Sequence, residues 1–180
     1  VPEALGGVSD PSFLMIDLVL APMLVAGPPL LVSQSVFSGQ TVVYSDAVQG
    51  YRLRLPVEFQ PTGAGAWLGP RLPTPTTIYI HTEPMVGAAA AFTVHLKKYQ
   101  DDPLYTNVTP VPIRGGQGFR AEEVLRPGQS PEDIHRWFLF VYAHERVYTL
   151  GLTGPVRAFR QGLLPPIYTA VMASFEVLPR

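Results

Sequence analysis

The sequence predicts a strand-rich globular fold carrying three helices, and three observations support that class. Apolar residues make up 47% of the chain and charged residues 15%, a balance that separates it from disordered chains despite 20 prolines. In HRWFLFVYAHERVYTLGLTG, residues 135–154, two apolar aromatic runs flank Ala143-His144-Glu145-Arg146, the pattern of a long hairpin. Helical spacing is confined to residues 86–100 and to the stretch after Gly154.

With 180 residues the chain is long enough for one domain with a substantial core, since a chain of this size buries about 70% of its unfolded surface. Thirteen Lys and Arg stand against fourteen Asp and Glu, a net charge of -1, and the two lysines sit together at Lys97 and Lys98. No basic stripe exists to hold a phosphate backbone, so nucleic acid is not an expected partner. The absence of cysteine removes disulfides, a thiolate nucleophile and Cys-ligated metal sites.

Along the chain, Val, Leu and Ile from Phe13 to Val43 are cut by Ala21-Pro22 and Gly27-Pro28-Pro29 into pieces of strand length. The run 12–32 has the length of a membrane span, but Asp17 and Pro22, Gly27, Pro28 and Pro29 argue against one. The start, VPEALGG, carries neither a charged leader nor an initiator methionine, which is the look of a processed end or a boundary. Ser45–Gly50 is turn-prone, and Tyr51, Leu53 and Leu55 alternate with Arg52 and Arg54 in a half-exposed strand. Residues 60–77, rich in proline and glycine, read as a long surface loop carrying Trp67. Thr77–Thr82 returns to alternation.

For residues 86–100 the alanine run favours helix while Phe92, Thr93 and Val94 favour strand; helix is the reading adopted. Pro84 is placed near its first turn, Ala88, Ala91, Phe92, His95, Leu96 and Tyr99 share one side, and Lys97 and Lys98 lie at the negative dipole end. Asp101-Asp102-Pro103 ends it. Val108–Ile113 is an extended edge piece leading to a strand from Phe119 to Leu125, and RPGQSPED is a turn. After the hairpin, Pro155 opens a helix with Val156, Phe159 and Leu163 at helical spacing, and Pro165-Pro166 separates it from a last helix striped by Ile167, Val171 and Phe175. Helices are thus expected to close the chain.

Catalytic signatures are missing: there is no G-x-S-x-G elbow, P-loop, H-E-x-x-H or EF-hand loop. Gly115-Gly116-Gln117-Gly118 lacks the Lys-Ser/Thr of a phosphate cradle and precedes a strand, so it reads as a turn needing positive φ. His81 and Glu83 are two residues apart on a strand, which puts two possible metal ligands on one face, but no third ligand accompanies them. His95 is expected to lay its ring on the sheet, and His144-Glu145-Arg146 to be a solvated hairpin tip. Glu122 and Glu123 face opposite sides of a strand, so an exposed cross-strand pair with an arginine is expected in place of a catalytic dyad. Trp137, Phe138, Phe140, Tyr142 and Tyr148 read as core. Trp67, with Arg71 nearby, is either a cap folded back on the sheet or an exposed contact for a partner.

Gly50-Tyr51-Arg52-Leu53-Arg54-Leu55-Pro56 resembles the G-Y-x-hydrophobic-x-hydrophobic-P entry strand of the PsbP/Mog1/DcrB-like proteins. Arg146-Val147-Tyr148-Thr149-Leu150 resembles the strand after that family's tight hairpin, and Ala173-Ser174-Phe175 the end of its final helix. The resemblance covers about residues 41–178. It implies an α+β fold, an antiparallel β-sheet backed by helices in an α/β/α sandwich, here with an extra β-rich segment over residues 1–40. The stretch 12–40 has no counterpart in that pattern, and the proline-glycine segment 60–77 is longer than the pattern has. Family members are mostly accessory or assembly proteins of membrane complexes, envelope lipoproteins, or a small-GTPase-binding import factor, with no shared catalytic motif.

The expectation is therefore a non-enzymatic accessory module of a bacterial cell-envelope or membrane-associated complex, periplasmic or outer-surface, with a cytoplasmic location left open. Residues 41–180 form the domain, and residues 1–40 are either added strands or a docking arm. Contact with a protein partner, or with a second copy, is assigned to 12–40, including Leu24 and Val25, and to Trp67 and Arg71. The alternative is a small-ligand or metal-binding domain using His81, Glu83 and Arg120 at a cleft. An enzyme ranks third, because nothing pairs a nucleophile with a base. No cofactor and no catalytic residue is assigned.

Overall fold

The computed structural model describes residues 36–63, 65–72 and 74–179. Leu24, Val25 and the extended pieces expected over 13–35 lie outside the described residues.

Strand β1 (Thr41–Asp46) leads through a turn into β2 (Tyr51–Pro56). Asp46 Oδ1 makes that turn by accepting the backbone N–H groups of Val48 at 3.0 Å and Gln49 at 2.8 Å. In β2 the expected alternation holds, with Tyr51, Leu53 and Leu55 buried and Arg52 and Arg54 exposed.

The segment 60–77 differs from its expectation. It forms β3 (Gln60–Gly63), β4 (Ala66–Arg71) and the start of β5 (Pro75–Pro84), an antiparallel meander in place of a loop. Its described prolines stand at positions where a strand tolerates a missing N–H donor. Pro61 is on the outermost strand, Pro70 lies where the β4–β5 register shifts between Leu68 and Arg71, and Pro75 begins β5. The register pairs Trp67 with Ile78, so the indole turns to the core side and is only 5% exposed.

Helix α1 (Ala88–Asp101) follows, starting after Gly87; Pro84 is the last residue of β5 and not part of the helix's first turn. Lys97 binds Asp101 at 2.7 Å one turn on. Next come β6 (Tyr105–Ile113), the edge piece, and β7 (Gly116–Glu123). The hairpin is β8 (Ile134–Ala143) and β9 (Arg146–Pro155), joined by His144 and Glu145, both at positive φ as a two-residue type I′ turn requires. Two helices, α2 (Val156–Arg160) and α3 (Leu164–Ala173), come before a short closing strand, β10 (Glu176–Val177), where only helix was expected. Phe175 accordingly lies outside the helix whose stripe it was expected to extend.

Among the described residues, seven strands form one antiparallel sheet in the order β3-β4-β5-β9-β8-β7-β6, and three form a second in the order β1-β2-β10. Side-chain alternation in β8 and β9 splits the core in two. Trp137, Leu139, Val141, Tyr148, Leu150 and Leu152 face the small sheet, α2 and α3, where they meet Leu53, Leu55, Tyr168 and Val171. Phe140, Tyr142 and Val147, with Phe119 of β7, face α1, whose Phe92, Leu96 and Tyr99 cover them. The large sheet is therefore sandwiched between α1 on one face and the small sheet with α2 and α3 on the other. This is the α+β arrangement of an antiparallel sheet backed by helices.

The chain end ties the layers together. Val177 N–H donates to the Arg114 carbonyl at 3.0 Å and Leu178 N–H to the Gly50 carbonyl at 2.9 Å. Arg114, at the β6–β7 turn, is thereby held next to Glu176 in a parallel bridge.

Candidate functional site

That bridge builds the wall of a groove of about 780 Å³ over the outer face of β2. Arg52 and Arg54 enter it because β2 turns its alternate residues away from the core, and Val43 stands opposite Arg54 on β1. Ser174 closes one side and Arg114 and Glu176 another. Glu176 accepts from Arg52 Nε at 3.0 Å and Nη2 at 2.9 Å, and lies 3.6 Å from Arg114. Arg54 has no acidic partner among the described residues. Its backbone is fixed nonetheless: the N–H donates to Ser174 Oγ at 2.8 Å. The groove is thus cationic and concave, suited to holding an anionic group by charge-assisted hydrogen bonds.

Sequence reasoning identified Arg52 and Arg54 only as the exposed half of a strand. Their alternation was the available signal. Arg114 and Glu176 lie far away along the chain and reach the groove only through β10.

The residues singled out from the sequence are scattered. Trp67 packs edge-on against Tyr44 at a ring distance of 5.3 Å inside the core, so it is no exposed partner contact. The reason is the strand pairing of β4, which a loop would not have had. Arg71 is exposed at the end of β4. His81 and Glu83 share one face of β5 and are both exposed. His81 pairs in register with Thr149, Thr149 with Phe140, and Phe140 with Phe119, so these side chains all lie on the α1 side. Arg120, adjacent to Phe119, points to the opposite side, where its Nε donates to Thr109 Oγ1 at 3.1 Å. The three candidate ligand residues of the alternative reading therefore do not converge on one cleft. No group of three His, Cys, Asp or Glu side chains able to hold a metal ion occurs among the described residues.

The remaining polar chemistry is structural. Glu123 pairs with Arg136 across strands at 2.9 Å, and Glu122 accepts from Asn107 Nδ2 at 2.8 Å, so the two carboxylates do diverge. His95 Nδ1 lies 2.9 Å from the Tyr142 hydroxyl, its ring half-buried against the sheet. Burial pushes the Tyr51 phenol up to about 12, with Asp46 adding to the rise, and burial likewise raises Tyr79, Tyr99, Tyr105, Tyr142 and Tyr168. Each is a neutral phenol at ordinary pH. His135 is driven the other way, its pKa lowered by burial, so its ring is held neutral.

The fold has solved counterparts. The cyanobacterial PsbP protein (CyanoP) of Synechocystis sp. PCC 6803 superposes with a TM-score of 0.51 at 14% identity, over 79% of this chain and 95% of that one. The fold is PsbP-like. A protein of Bacteroides thetaiotaomicron VPI-5482 superposes with a TM-score of 0.50 at 13% identity, over 77% of this chain and 48% of its own length. LpqN, involved in cell envelope biogenesis of Mycobacterium tuberculosis, superposes with a TM-score of 0.46 at 12% identity, over 79% and 86% of the two chains. No family model and no curated protein sequence matches the chain. The PsbP-like architecture agrees with the resemblance carried by Gly50–Pro56 and Arg146–Leu150. Among the described residues no helix is long and apolar enough to cross a membrane.

Proposed function

We propose that this chain is a non-enzymatic interaction module of a membrane-associated or cell-envelope complex in bacteria. The observation that carries the reading is the contrast between its polar side chains and its surface. The buried titratable groups of the sheet are kept neutral or bonded within the fold, whereas the 780 Å³ groove gathers three guanidiniums around the single carboxylate of Glu176, and Arg54 makes no ion pair among the described residues. A surface of that kind recognises a partner; it does not pair a nucleophile with a base. The PsbP-like fold supports the same reading, because the family resemblance seen in the sequence implies accessory proteins of membrane complexes and envelope proteins.

The test is the mass of the assembly. The tagged chain, produced in its native cells and extracted from soluble and detergent-solubilised membrane fractions, is run on size exclusion with light scattering. A species well above the 19.7 kDa of this chain, containing a second protein in fixed ratio, is expected. Elution of the chain alone in both fractions overturns the reading.

A further inference from the structure

Building on the interaction-module reading, we propose that the groove over β2 binds an extended acidic segment of a partner protein, with Arg54 and Arg114 as its carboxylate anchors. Three guanidiniums and one carboxylate line the groove, and that carboxylate is committed mainly to Arg52, which it meets through two nitrogens at 2.9 and 3.0 Å. Arg114 touches it only at 3.6 Å, with a side chain 78% exposed, and Arg54 does not touch it at all. Among the described residues, positive charge therefore remains in excess in one concave site. The guanidinium fork presents parallel N–H donors that match a carboxylate, which makes arginine the residue suited to such recognition.

The backbones that carry the anchors are fixed. Arg54 sits in a paired strand, its N–H bonded to Ser174, and Arg114 is pinned by the Val177 N–H on its carbonyl. Binding therefore has to order the two side chains and not the main chain beneath them. Val43, 54% exposed and in register with Arg54, adds an apolar contact next to the charge. The shape favours a peptide over a lipid surface. A membrane is held by a cluster of about 4–8 basic residues on a face that can lie flat against it, whereas this site has three arginines in a concavity.

The test uses the full chain and a fluorescein-labelled short peptide of alternating glutamate and serine, read by fluorescence anisotropy. The glutamine-serine counterpart is the neutral control. Saturable binding of the acidic peptide alone, weakening with salt, is expected. Arg54→Ala and Arg114→Ala should each lower affinity by about 5–10-fold, the loss of a charge-assisted contact, while Lys98→Ala on α1 leaves it unchanged. Arg54→Lys should retain part of the affinity. Melting curves check that the variants stay folded, which the exposure of both side chains predicts.

Absence of binding, equal binding of the neutral peptide, or equal loss in Lys98→Ala overturns the proposal. So does arginine-dependent binding to phosphatidylglycerol vesicles without peptide binding, which would make the ligand a lipid. The two readings fail separately. If the complex in cell extracts survives Arg54→Glu with Arg114→Glu, the module reading stands and the groove assignment falls; if no complex exists in wild-type extracts, the module reading itself falls.

Discussion

The hydroxyl of Tyr148, on strand β9 of the large sheet, donates to the backbone carbonyl of Gln49 at 3.0 Å, in the turn that joins β1 and β2 of the small sheet. Arg146 reinforces the joint from the same strand, donating to that carbonyl at 3.2 Å and to Gln49 Oε1 at 3.1 Å. Two side chains of one strand thus register the two sheets against each other. Tyr148→Phe removes the donor but leaves Gln49 with Arg146, so the cost is that of one hydrogen bond, about 1 kcal/mol, and not the larger penalty of an orphaned acceptor. Urea denaturation of the variant checks this. Adding Arg146→Ala should cost more than the two single losses together, since the carbonyl then loses both donors.

Trp67 is placed in the core by its strand pairing, and its substitution tests that placement. Trp67→Ala should destabilise the chain by roughly 3–5 kcal/mol, whereas Trp67→Phe, which keeps the aromatic contact with Tyr44, should cost far less. A stability unchanged by alanine would return Trp67 to the surface and remove β4 from the sheet.

Gly115 and Gly128 allow a matched comparison, because both have φ near +82°. At Gly128 an added Cβ meets nothing within 4 Å, while at Gly115 it would lie 2.6 Å from the Val177 carbonyl oxygen. Alanine at either site carries the left-handed backbone cost of roughly 1–2 kcal/mol. Only at Gly115 does it also push β10 away from the β6–β7 turn. Gly115→Ala should therefore lower the denaturation midpoint further than Gly128→Ala, and equal shifts would contradict the β10 docking.

His135 makes stability depend on pH. It is 2% exposed, its ring meets Phe159 edge-on at 4.5 Å, and its Nδ1 has no hydrogen-bond partner among the described residues. Burial lowers its pKa most, Glu123 opposes that and Arg136 adds to it, leaving the folded value below the ordinary 6.5. The unfolded chain then binds the proton more readily. Stability from this group is complete above the unfolded pKa and is lost as pH falls below about 6.5 toward the folded value. Melting temperatures measured from about pH 8 to pH 5 should fall more steeply for the wild type than for His135→Phe. Parallel curves would show that the ring is not buried as a neutral group.

Local pattern made much of the architecture legible. The β8–β9 hairpin followed from two aromatic runs around a polar break, β2 from strict alternation, and α1 from the spacing of Ala88, Phe92 and Tyr99. The strands β3 and β4 were hidden because proline and glycine counts register local backbone preference and not pairing position. Edge and bulge positions, where Pro61 and Pro70 stand, exist only once the sheet is assembled. The strand β10 was hidden because two residues carry no period.

By itself the sequence determined the class of fold, the residues of its core strands and the absence of a recognisable catalytic motif, since these depend on composition and on periodicities of a few residues. Only the tertiary structure decided which polar side chains meet. It separated His81 from Arg120 by placing them on opposite faces of one sheet, and it brought Arg114 to Glu176 and Arg52 through a closing strand. Such meetings are set by long-range strand register, where a shift of one residue turns a side chain to the other face, and no local pattern records that register.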